Sequence, residues 1–240
     1  MRIHCFINPD SLLENIVTLS PEESHHLARV LRVDVGQELT LFDGEGTRAE
    51  GVITRVDKKG VEAKITARET IAPPAVEITL IQAVCKPDRF ELILQKATEL
   101  GVRSIQPVVT QNASLPAGKI EKMIERGEAI IRNAAQQCGT AWMPQFLPLK
   151  RLTEVSFESS VTLVGSLHPN AKPFREAFQT LEKSGMKTAA LLIGPEGDFT
   201  EEEVNAAVAA GAIPVTFGTQ ILRTETAAIF GLSVLTYELF

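Results

Sequence analysis

The sequence predicts an α/β protein in two parts, a small β-barrel followed by an open α/β sheet. Two prolines in the stretch Ile71-Ala72-Pro73-Pro74-Ala75 forbid a helix and indicate a short, stiff connector. Before the connector, short apolar runs alternate with tight glycine turns, which is typical of a small barrel. After it, strand and helix patterns alternate, which is typical of an open α/β sheet. We therefore expect one domain over residues 1–71 and a second over residues 72–240.

The first part contains four strand patterns and one helix pattern. Strands are expected over residues 3–7, 38–42, 51–56 and 61–65. The helix begins at Ser20-Pro21-Glu22-Glu23, where a serine N-cap, a proline at the first helical position and a glutamate at the third form a capping box. It continues through His25-His26 to Leu31.

The second part alternates five strand patterns with five helix patterns. Strands are expected over residues 76–84, 105–109, 161–167, 189–193 and 215–217. Helices are expected over residues 87–100, 119–137, 173–183 and 225–239. A second capping box, Thr200-Glu201-Glu202-Glu203, begins a further helix. The continuous apolar run at residues 189–193 is typical of a buried parallel strand.

Composition excludes several classes of protein. The chain has 240 residues, of which 44% are hydrophobic and 22% charged, which suits a globular protein with ample material for a core. No apolar stretch approaches the ~20 residues needed to span a bilayer, and the N-terminus lacks the apolar run of a secretory signal. Cys5, Cys85 and Cys138 lie far apart, which argues against disulfides and a zinc site. We expect a cytoplasmic protein with no membrane partner.

Charge is unevenly distributed along the chain. The net charge of −6 argues against non-specific binding to nucleic acid. Residues 86–151 nevertheless carry a net charge of +4, while residues 152–240 carry −6. The basic segment indicates either a local anion-binding face or lysines and arginines scattered over a solvated surface, and charge alone does not decide between them.

Two glycine-containing loops follow strands of the second part. The Gly194 loop (residues 194–199) begins Gly-Pro-Glu-Gly, and the Gly218 loop (residues 217–227) includes the start of the last helix. In open α/β sheets, ligands bind beyond the carboxyl ends of the strands, although either loop by itself could be an ordinary turn. Neither loop has the phosphate-binding pattern of an NTPase or of a dinucleotide-binding enzyme.

Charged side chains in these loops are the candidates for chemistry. Arg223 lies beside a helix start for which Thr224 is the expected N-cap. An arginine beside helix amides can hold an anion or a developing oxyanion. Glu196 and Glu225 are carboxylates in the same two loops, where each either takes part in chemistry or anchors its loop by accepting backbone N–H bonds. His25 and His26 point about 100° apart on a helix and cannot share a metal ion, so no metal site is expected.

Five motifs, in order along nearly the whole chain, resemble those of a known family. In the first part, His25-His26 with Val30-Leu31-Arg32 resembles the pattern HHxxxVLR. In the middle of the chain, Lys86 with Glu99 to Val102 and Pro107 resembles K…ELGV…P, and Glu125-Arg126 with Ala135, Gln136-Gln137 and Pro144 resembles ER…A-x-Q…P. In the last part, Gly194-Pro195-Glu196-Gly197 with Phe199, Thr200 and Glu203 resembles GPEGGFS-x-x-E, and Ile221 to Ala227 after Gly218 resembles ILRTETA. The ILRTETA run is the most specific. The chain therefore resembles the RsmE family of small-subunit ribosomal RNA methyltransferases, in the SPOUT superfamily.

The resemblance implies a fold and an activity that composition and spacing do not. It implies a PUA-like β-barrel over residues 1–71, followed by an α/β domain with a trefoil knot over residues 72–240. The implied enzyme binds S-adenosylmethionine in the knot loops and acts as a homodimer whose sites are completed across the interface. The implied reaction is methylation of N3 of a uridine in 16S ribosomal RNA, either free or in the assembled small subunit.

The resemblance also implies residue roles. We expect Arg223 to stabilise charge on the uracil, with Glu196 and Glu225 as further catalytic candidates. The expected cofactor contacts are Leu167, Leu192, Gly194, Gly197, Gly218, Ile221, Leu222, Thr226 and Ala227. The expected RNA contacts are Arg29, Arg32, Lys86, Arg126 and Arg132.

Several positions depart from the family pattern. Cys5 and Thr140 stand where arginines are usual, and Asp198 replaces the second glycine of GPEGG. Two cations that would grip RNA are therefore missing, and a negative charge is added beside the cofactor loop. These departures leave two alternatives open, a SPOUT methyltransferase with a different RNA target and an RNA-binding protein without turnover.

Overall fold

The chain divides into two compact units. The computed structural model describes residues 3–157, 159, 161–182 and 185–239, with only the backbone of residues 180–182. The first unit runs through Pro73 and also takes in Arg132–Met143, while the second comprises Pro74–Ile131 and the chain from Pro144 onward. The return of residues 132–143 to the first unit leaves no mark in the sequence, because it begins inside a continuous helix pattern.

A five-stranded sheet forms the first unit. In chain order, its strands are β1 His4–Phe6, β2 Ile16–Thr18, β3 Glu38–Phe42, β4 Thr47–Asp57 and β5 Gly60–Thr70. The spatial order is β1-β3-β4-β5-β2, with β1 parallel to β3 and every other pair antiparallel. Leu27, Leu41, Ile53 and Val61 lie in its core. The pattern of alternating residues predicts all of these strands except β2, which has only three residues.

The first helix begins as predicted and then changes its winding. In α1 (Pro21–His25), the Ser20 hydroxyl accepts a hydrogen bond from the Glu23 backbone N–H at 3.2 Å. The expected return bond is absent, because the Glu23 carboxylate instead accepts a hydrogen bond from the Gln136 amide. Burial raises the pKa of this Glu23 carboxyl. The chain continues as a π-helix over His26–Leu31 and ends at Arg32, whose φ of 52° is left-handed.

Gly46 allows a tryptophan ring to approach the backbone of the first unit. Its φ is +100°, and a Cβ on Gly46 would lie 2.3 Å from Cζ2 of Trp142. The same indole donates from Nε1 to the carbonyls of Ile71, at 3.1 Å, and Ala72, at 3.2 Å. This contact fastens residues 132–143 to the sheet of the first unit.

A substitution at Gly46 is expected to destabilise the protein through both the backbone and the indole. Gly46→Ala should lower the free energy of unfolding by about 2 kcal/mol, because it adds a clash to an unfavourable φ. Gly36→Ala is the matched control, since Gly36 has a φ of +95° with no atom within 4 Å of its Cβ position. The control should lose only about 1 kcal/mol in urea unfolding. Equal losses in the two variants would show that the Trp142 contact is unimportant.

The second unit is built on a parallel sheet flanked by helices. Its strands are β6 Glu77–Ala83, β7 Ser104–Val109, β8 Gln145–Phe146, β9 Lys150–Arg151, β10 Val161–Gly165, β11 Lys172–Pro173, β12 Thr188–Ile193 and β13 Ile213–Thr216. The spatial order is β11-β13-β10-β12-β6-β7-β8, with β9 also paired to β7. The predicted open α/β sheet is confirmed, and β8, β9 and β11 escaped prediction because each has only two residues. The trefoil knot that the family resemblance implies stays a prediction.

Helices connect these strands. They are α2 Pro87–Glu99, α3 Ala117–Glu125, α4 Gly127–Cys138, α5 Phe174–Glu182, α6 Glu201–Ala209 and α7 Thr224–Leu239. The capping box at the start of α6 is confirmed, since Thr200 and Glu203 exchange both bonds, at 3.0 and 3.3 Å. Lys183, the predicted last residue of α5, lies outside the described residues. No helix in the described part of the chain is long and apolar enough to cross a membrane.

The prediction of one helix over residues 119–137 is wrong, because two helices meet at Gly127. A Cβ on Gly127 would lie 2.2 Å from Cε1 of Phe146, so only glycine allows the phenylalanine ring to pack there. The position of that ring depends on a strand that follows the helix, and the periodicity of the helix cannot reveal it.

Candidate functional site

The carboxyl ends of three neighbouring strands enclose one cavity. Strands β10, β12 and β13 are parallel neighbours, so the loops that follow them meet at the same edge of the sheet. The residues after β10, the Gly194 loop and the Gly218 loop surround a cavity of about 310 Å³. This volume lies at the lower end of the range for small-molecule sites. The two glycine loops, far apart in sequence, therefore form a single site.

Seven of the predicted site residues line this cavity. They are Leu167, Gly194, Glu196, Ile221, Leu222, Arg223 and Ala227. The apolar part of the cavity wall is formed by the side chains of Leu167, Ile221, Leu222 and Ala227. Ile221 is 78% exposed, although it is a large apolar residue. Its exposed side chain in the cavity wall is available to a ligand.

Five predicted residues do not belong to the cavity wall. Leu192 is buried within β12, and Gly197 faces Asn112, to whose Cβ an added methyl group would come within 3.1 Å. Gly218 has a φ of +133° and lines a neighbouring cavity. Thr226 is exposed on α7, and Glu225 turns toward Arg89.

Thr224 does not have the predicted role of N-cap. Helix α7 includes Thr224 itself, which is buried. Its hydroxyl donates to the Gly194 carbonyl at 2.6 Å and accepts from the Gln82 amide at 3.2 Å. One side chain therefore joins the Gly194 loop, the start of α7 and strand β6. The sequence pattern alone suggests a cap because threonine is common there, but the tertiary hydrogen bonds place the residue one position inside the helix.

Arg89 lies at the cavity between the carboxylates of Glu196 and Glu225, and the sequence did not predict it as a site residue. One guanidinium nitrogen lies 3.4 Å from a carboxylate oxygen of Glu196, and its Nε lies 3.8 Å from Oε2 of Glu225. Glu196 also accepts a hydrogen bond from the Lys86 backbone N–H at 3.1 Å. The anchoring role considered for Glu196 is therefore the one that its contacts show. A signal was present in the sequence, since a cation in the first turn of α2 is unfavourable unless acids hold it.

Arg89 is expected to stabilise the folded protein measurably. Arg89→Ala leaves two partly buried carboxylates without their shared cation, so the free energy of unfolding should fall by about 2 kcal/mol. Arg126→Ala is the control, because Arg126 pairs with Glu91 at 2.8 Å but is 71% exposed. The control should change stability by less than about 0.5 kcal/mol. Urea unfolding compares the two, and a similar small loss in both variants would contradict the bridging role of Arg89.

Cys85 lies beneath the site as a protonated thiol. Burial raises the pKa of Cys85, and the nearby carboxylates of Glu196 and Glu225 raise it further. A thiol held in this state is a poor nucleophile. Among the residues that the structure describes, no group of three or more histidine, cysteine, aspartate or glutamate side chains is arranged to hold a metal ion.

Arg223 is the cavity cation that pairs with no described residue. It is exposed, and within the described residues its guanidinium forms no hydrogen bond or ion pair. Its backbone carbonyl accepts from the Ala227 N–H at 2.8 Å, which fixes the backbone at the start of α7. A guanidinium that is anchored by its backbone and free at its tip is available to an anionic group of a ligand.

The predicted RNA contacts fall into two groups. Arg29, Arg32 and Lys86 are exposed. Arg126 pairs with Glu91, and the guanidinium of Arg132 stacks over the Phe6 ring at 5.1 Å and lies 3.8 Å from Glu22. The first three side chains are available to a phosphate, whereas the other two already have protein partners.

Known proteins of one family match this chain along nearly its whole length. A family model described as an RNA methyltransferase domain matches residues 72–236, and one described as an RNA methyltransferase PUA domain matches residues 19–66. Ribosomal RNA small subunit methyltransferase E of Mycobacterium bovis is 29% identical over 226 residues, which cover 90% of this chain and 84% of that protein.

Solved structures agree with this match. A methyltransferase of Legionella pneumophila, solved with its bound cofactor S-adenosylmethionine, is 31% identical with a TM-score of 0.83 over 99% of this chain and 98% of that chain. Ribosomal RNA small subunit methyltransferase E of Neisseria gonorrhoeae, bound to S-adenosylmethionine, is 29% identical with a TM-score of 0.86 over the same shares. The resemblance seen in the five motifs is thus confirmed, and so is the PUA-like first domain. The chain belongs to the RNA methyltransferase family, within its RsmE branch of the SPOUT superfamily.

Proposed function

We propose that this protein transfers a methyl group from S-adenosylmethionine to N3 of a uridine in 16S ribosomal RNA. The observation that carries the proposal is the single cavity that the Gly194 and Gly218 loops form around an unpaired arginine. Relatives with the same fold are solved with this cofactor in place. We propose that the protein acts in the cytoplasm, because its proposed substrate is ribosomal RNA.

The residues of the cavity fit this cofactor. Leu167, Ile221 and Leu222 offer an apolar surface for an adenine ring. Gly194 brings bare backbone to the wall, and a Cβ there would come within 3.1 Å of the Phe199 ring. Side chains of both charges line the cavity, as the charged methionine portion of the cofactor requires. When bound, S-adenosylmethionine supplies an electrophilic methyl group on a sulfonium sulfur.

The protein contributes positioning and charge stabilisation. Holding the uracil N3 in line with the methyl group removes much of the entropic barrier to the displacement. The N3–H bond must break, and Arg223 stabilises the negative charge that gathers on the uracil oxygens as the proton leaves. Glu196 and Glu225 are engaged by Arg89, so we assign the proton to water at the open mouth of the cavity. The target base must leave its stack to reach this position.

Exposed cations are proposed to position the RNA. Arg29, Arg32 and Lys86 are the leading contacts because no described side chain occupies them. Cys5 is fully buried in the core of the first unit, and the Thr140 hydroxyl donates a hydrogen bond to the Trp142 carbonyl. Neither residue therefore supplies the RNA contact that an arginine at its position would make. These missing cations favour one second candidate, a uridine in a different RNA site. Phosphate contacts would orient the RNA, while its local shape would select the base.

A homodimer is proposed from the surface of α7. This helix carries apolar residues on all sides, and a helix of that kind is normally covered on all sides. Leu232 and Leu235 are buried, yet Phe230 is 44% exposed and Tyr237 83% exposed. Phe230 also lines an aromatic groove with Phe174, Phe178 and Phe217 beside the cofactor cavity. A second copy of the chain would cover this surface and would adjoin the site.

The ribosomal RNA of a strain lacking this protein tests the proposal. Methylation at uridine N3 blocks Watson–Crick pairing, so primer extension stops at the modified base. We expect one stop in 16S RNA to disappear in the deletion strain and to return with the intact gene but not with Arg223→Ala. Mass spectrometry of that RNA fragment should show a loss of one methyl group. An unchanged set of modifications in 16S RNA would refute the proposed target.

A further inference from the structure

Four charged side chains line the cofactor cavity, and two of them neutralise each other. These four residues are Arg89, Glu196, Asp198 and Arg223. Arg89 and Glu196 form an ion pair at 3.4 Å. Within the described part of the chain, no cation pairs with Asp198 and no carboxylate pairs with Arg223. The cavity therefore presents one uncompensated negative charge and one uncompensated positive charge to a ligand.

The Asp198 carboxylate is held in a fixed position. Asp198 has a φ of +57°, a left-handed conformation that aspartate tolerates better than most side chains. Its Oδ1 accepts from the Phe199 N–H at 2.8 Å, and the same oxygen lies 3.3 Å from the Cβ position of Gly194. The Asn112 amide clamps the loop from outside by donating to the carbonyls of Gly197, at 3.0 Å, and Asp198, at 3.1 Å. The second carboxylate oxygen of Asp198 has no described hydrogen-bond partner.

A fixed carboxylate distinguishes a cofactor from its product when the two differ in charge. S-Adenosylmethionine carries a positive sulfonium, which becomes a neutral thioether in S-adenosylhomocysteine after the methyl group leaves. The adenine, the ribose and both charges of the amino acid are common to the two ligands, so their contacts cancel when the affinities are compared. Only a charge near the sulfur changes the ratio of the two affinities.

We propose that Asp198 is a specificity-determining residue that favours the sulfonium cofactor over its neutral product. The proposal rests on the proposed function, because it takes S-adenosylmethionine to bind in this cavity with its sulfonium sulfur beside the Asp198 carboxylate. The carboxylate attracts the charged sulfur before the reaction and loses that attraction once the methyl group is transferred. The product therefore dissociates more readily than the cofactor, and the next turnover begins sooner.

Calorimetric titration of S-adenosylmethionine and S-adenosylhomocysteine tests this inference. Asp198→Asn removes the charge but keeps an oxygen that can accept from the Phe199 N–H. We expect it to weaken binding of S-adenosylmethionine about tenfold, while binding of S-adenosylhomocysteine changes less than twofold. Asp198→Gly removes the carboxylate and also the strain of a left-handed φ. It should change the ratio of the two affinities in the same direction. Glu202→Gln is the control, because it removes an exposed carboxylate of α6 that is not in the cavity wall.

The outcomes separate this inference from the proposed function. If the intact protein binds both ligands, and Asp198→Asn weakens the binding of both equally or of neither, the inference is wrong while the proposed function stands. If the intact protein binds neither ligand, both are wrong. Salt provides a second readout, since the preference of the intact protein for S-adenosylmethionine should shrink as ionic strength rises. The preference in Asp198→Asn should not depend on salt, and an equal dependence in both proteins would also overturn the inference.

Discussion

Arg223→Ala is expected to abolish methylation while the protein stays folded. The side chain is exposed and has no described partner, so its removal should change the free energy of unfolding by less than about 0.5 kcal/mol. Its proposed task is to stabilise charge that exists only in the transition state, and loss of one such group slows a reaction about 10²–10³-fold. The rate with saturating S-adenosylmethionine and 16S RNA should fall by that factor.

Two further variants make the Arg223 experiment specific. Arg223→Lys keeps the charge but not the planar fork of donors, so it should recover only part of the rate. Lys119→Ala removes one positive charge from the exposed start of α3 and should leave the rate unchanged. Single-turnover rates report the chemical step, and urea unfolding reports the fold. An unchanged rate in Arg223→Ala would remove this residue from the mechanism.

Much of the site follows from the sequence because parallel strands align their ends. The apolar run that forms β12 and the capping box that begins α6 locate the Gly194 loop, and the glycine before Arg223 locates the second loop. An open sheet with helical connections then brings such loops to one edge. Both the cavity and the place of Arg223 in it could be predicted on this basis.

Contacts between distant segments could not be predicted in the same way. Arg89 reads as an ordinary charged residue of an amphipathic helix, and its role appears only when Glu196 and Glu225 arrive from loops more than a hundred residues later. Gly127 reads as a tolerable helix residue until the Phe146 ring is in place. Each case depends on the position of a side chain that periodicity does not encode, since periodicity reports only which face of an element is buried.

Thr224 depends most strongly on such tertiary contacts, and its removal is expected to weaken both the fold and the site. Thr224→Val has nearly the same shape but leaves the Gly194 carbonyl without its donor and the Gln82 amide without one of its acceptors. Gln82 is fully buried, and its side-chain oxygen already has no partner among the described residues. Each buried polar group that loses a partner costs about 1–3 kcal/mol, so we expect the free energy of unfolding to fall by about 3 kcal/mol.

Loss of this hydroxyl should also release the Gly194 loop from α7. The affinity for S-adenosylmethionine, measured by calorimetry below the unfolding temperature, is expected to fall about tenfold because the loop must then be ordered by the ligand. Thr224→Ser keeps the hydroxyl and should retain most of the affinity. Thr226→Val, an exposed threonine on the same helix, is the control for the free energy of unfolding and should change it by less than about 0.5 kcal/mol. If Thr224→Val were as stable as that control, the Gly194 loop would have to be held in place by Asn112 and Arg89 without the Thr224 hydroxyl.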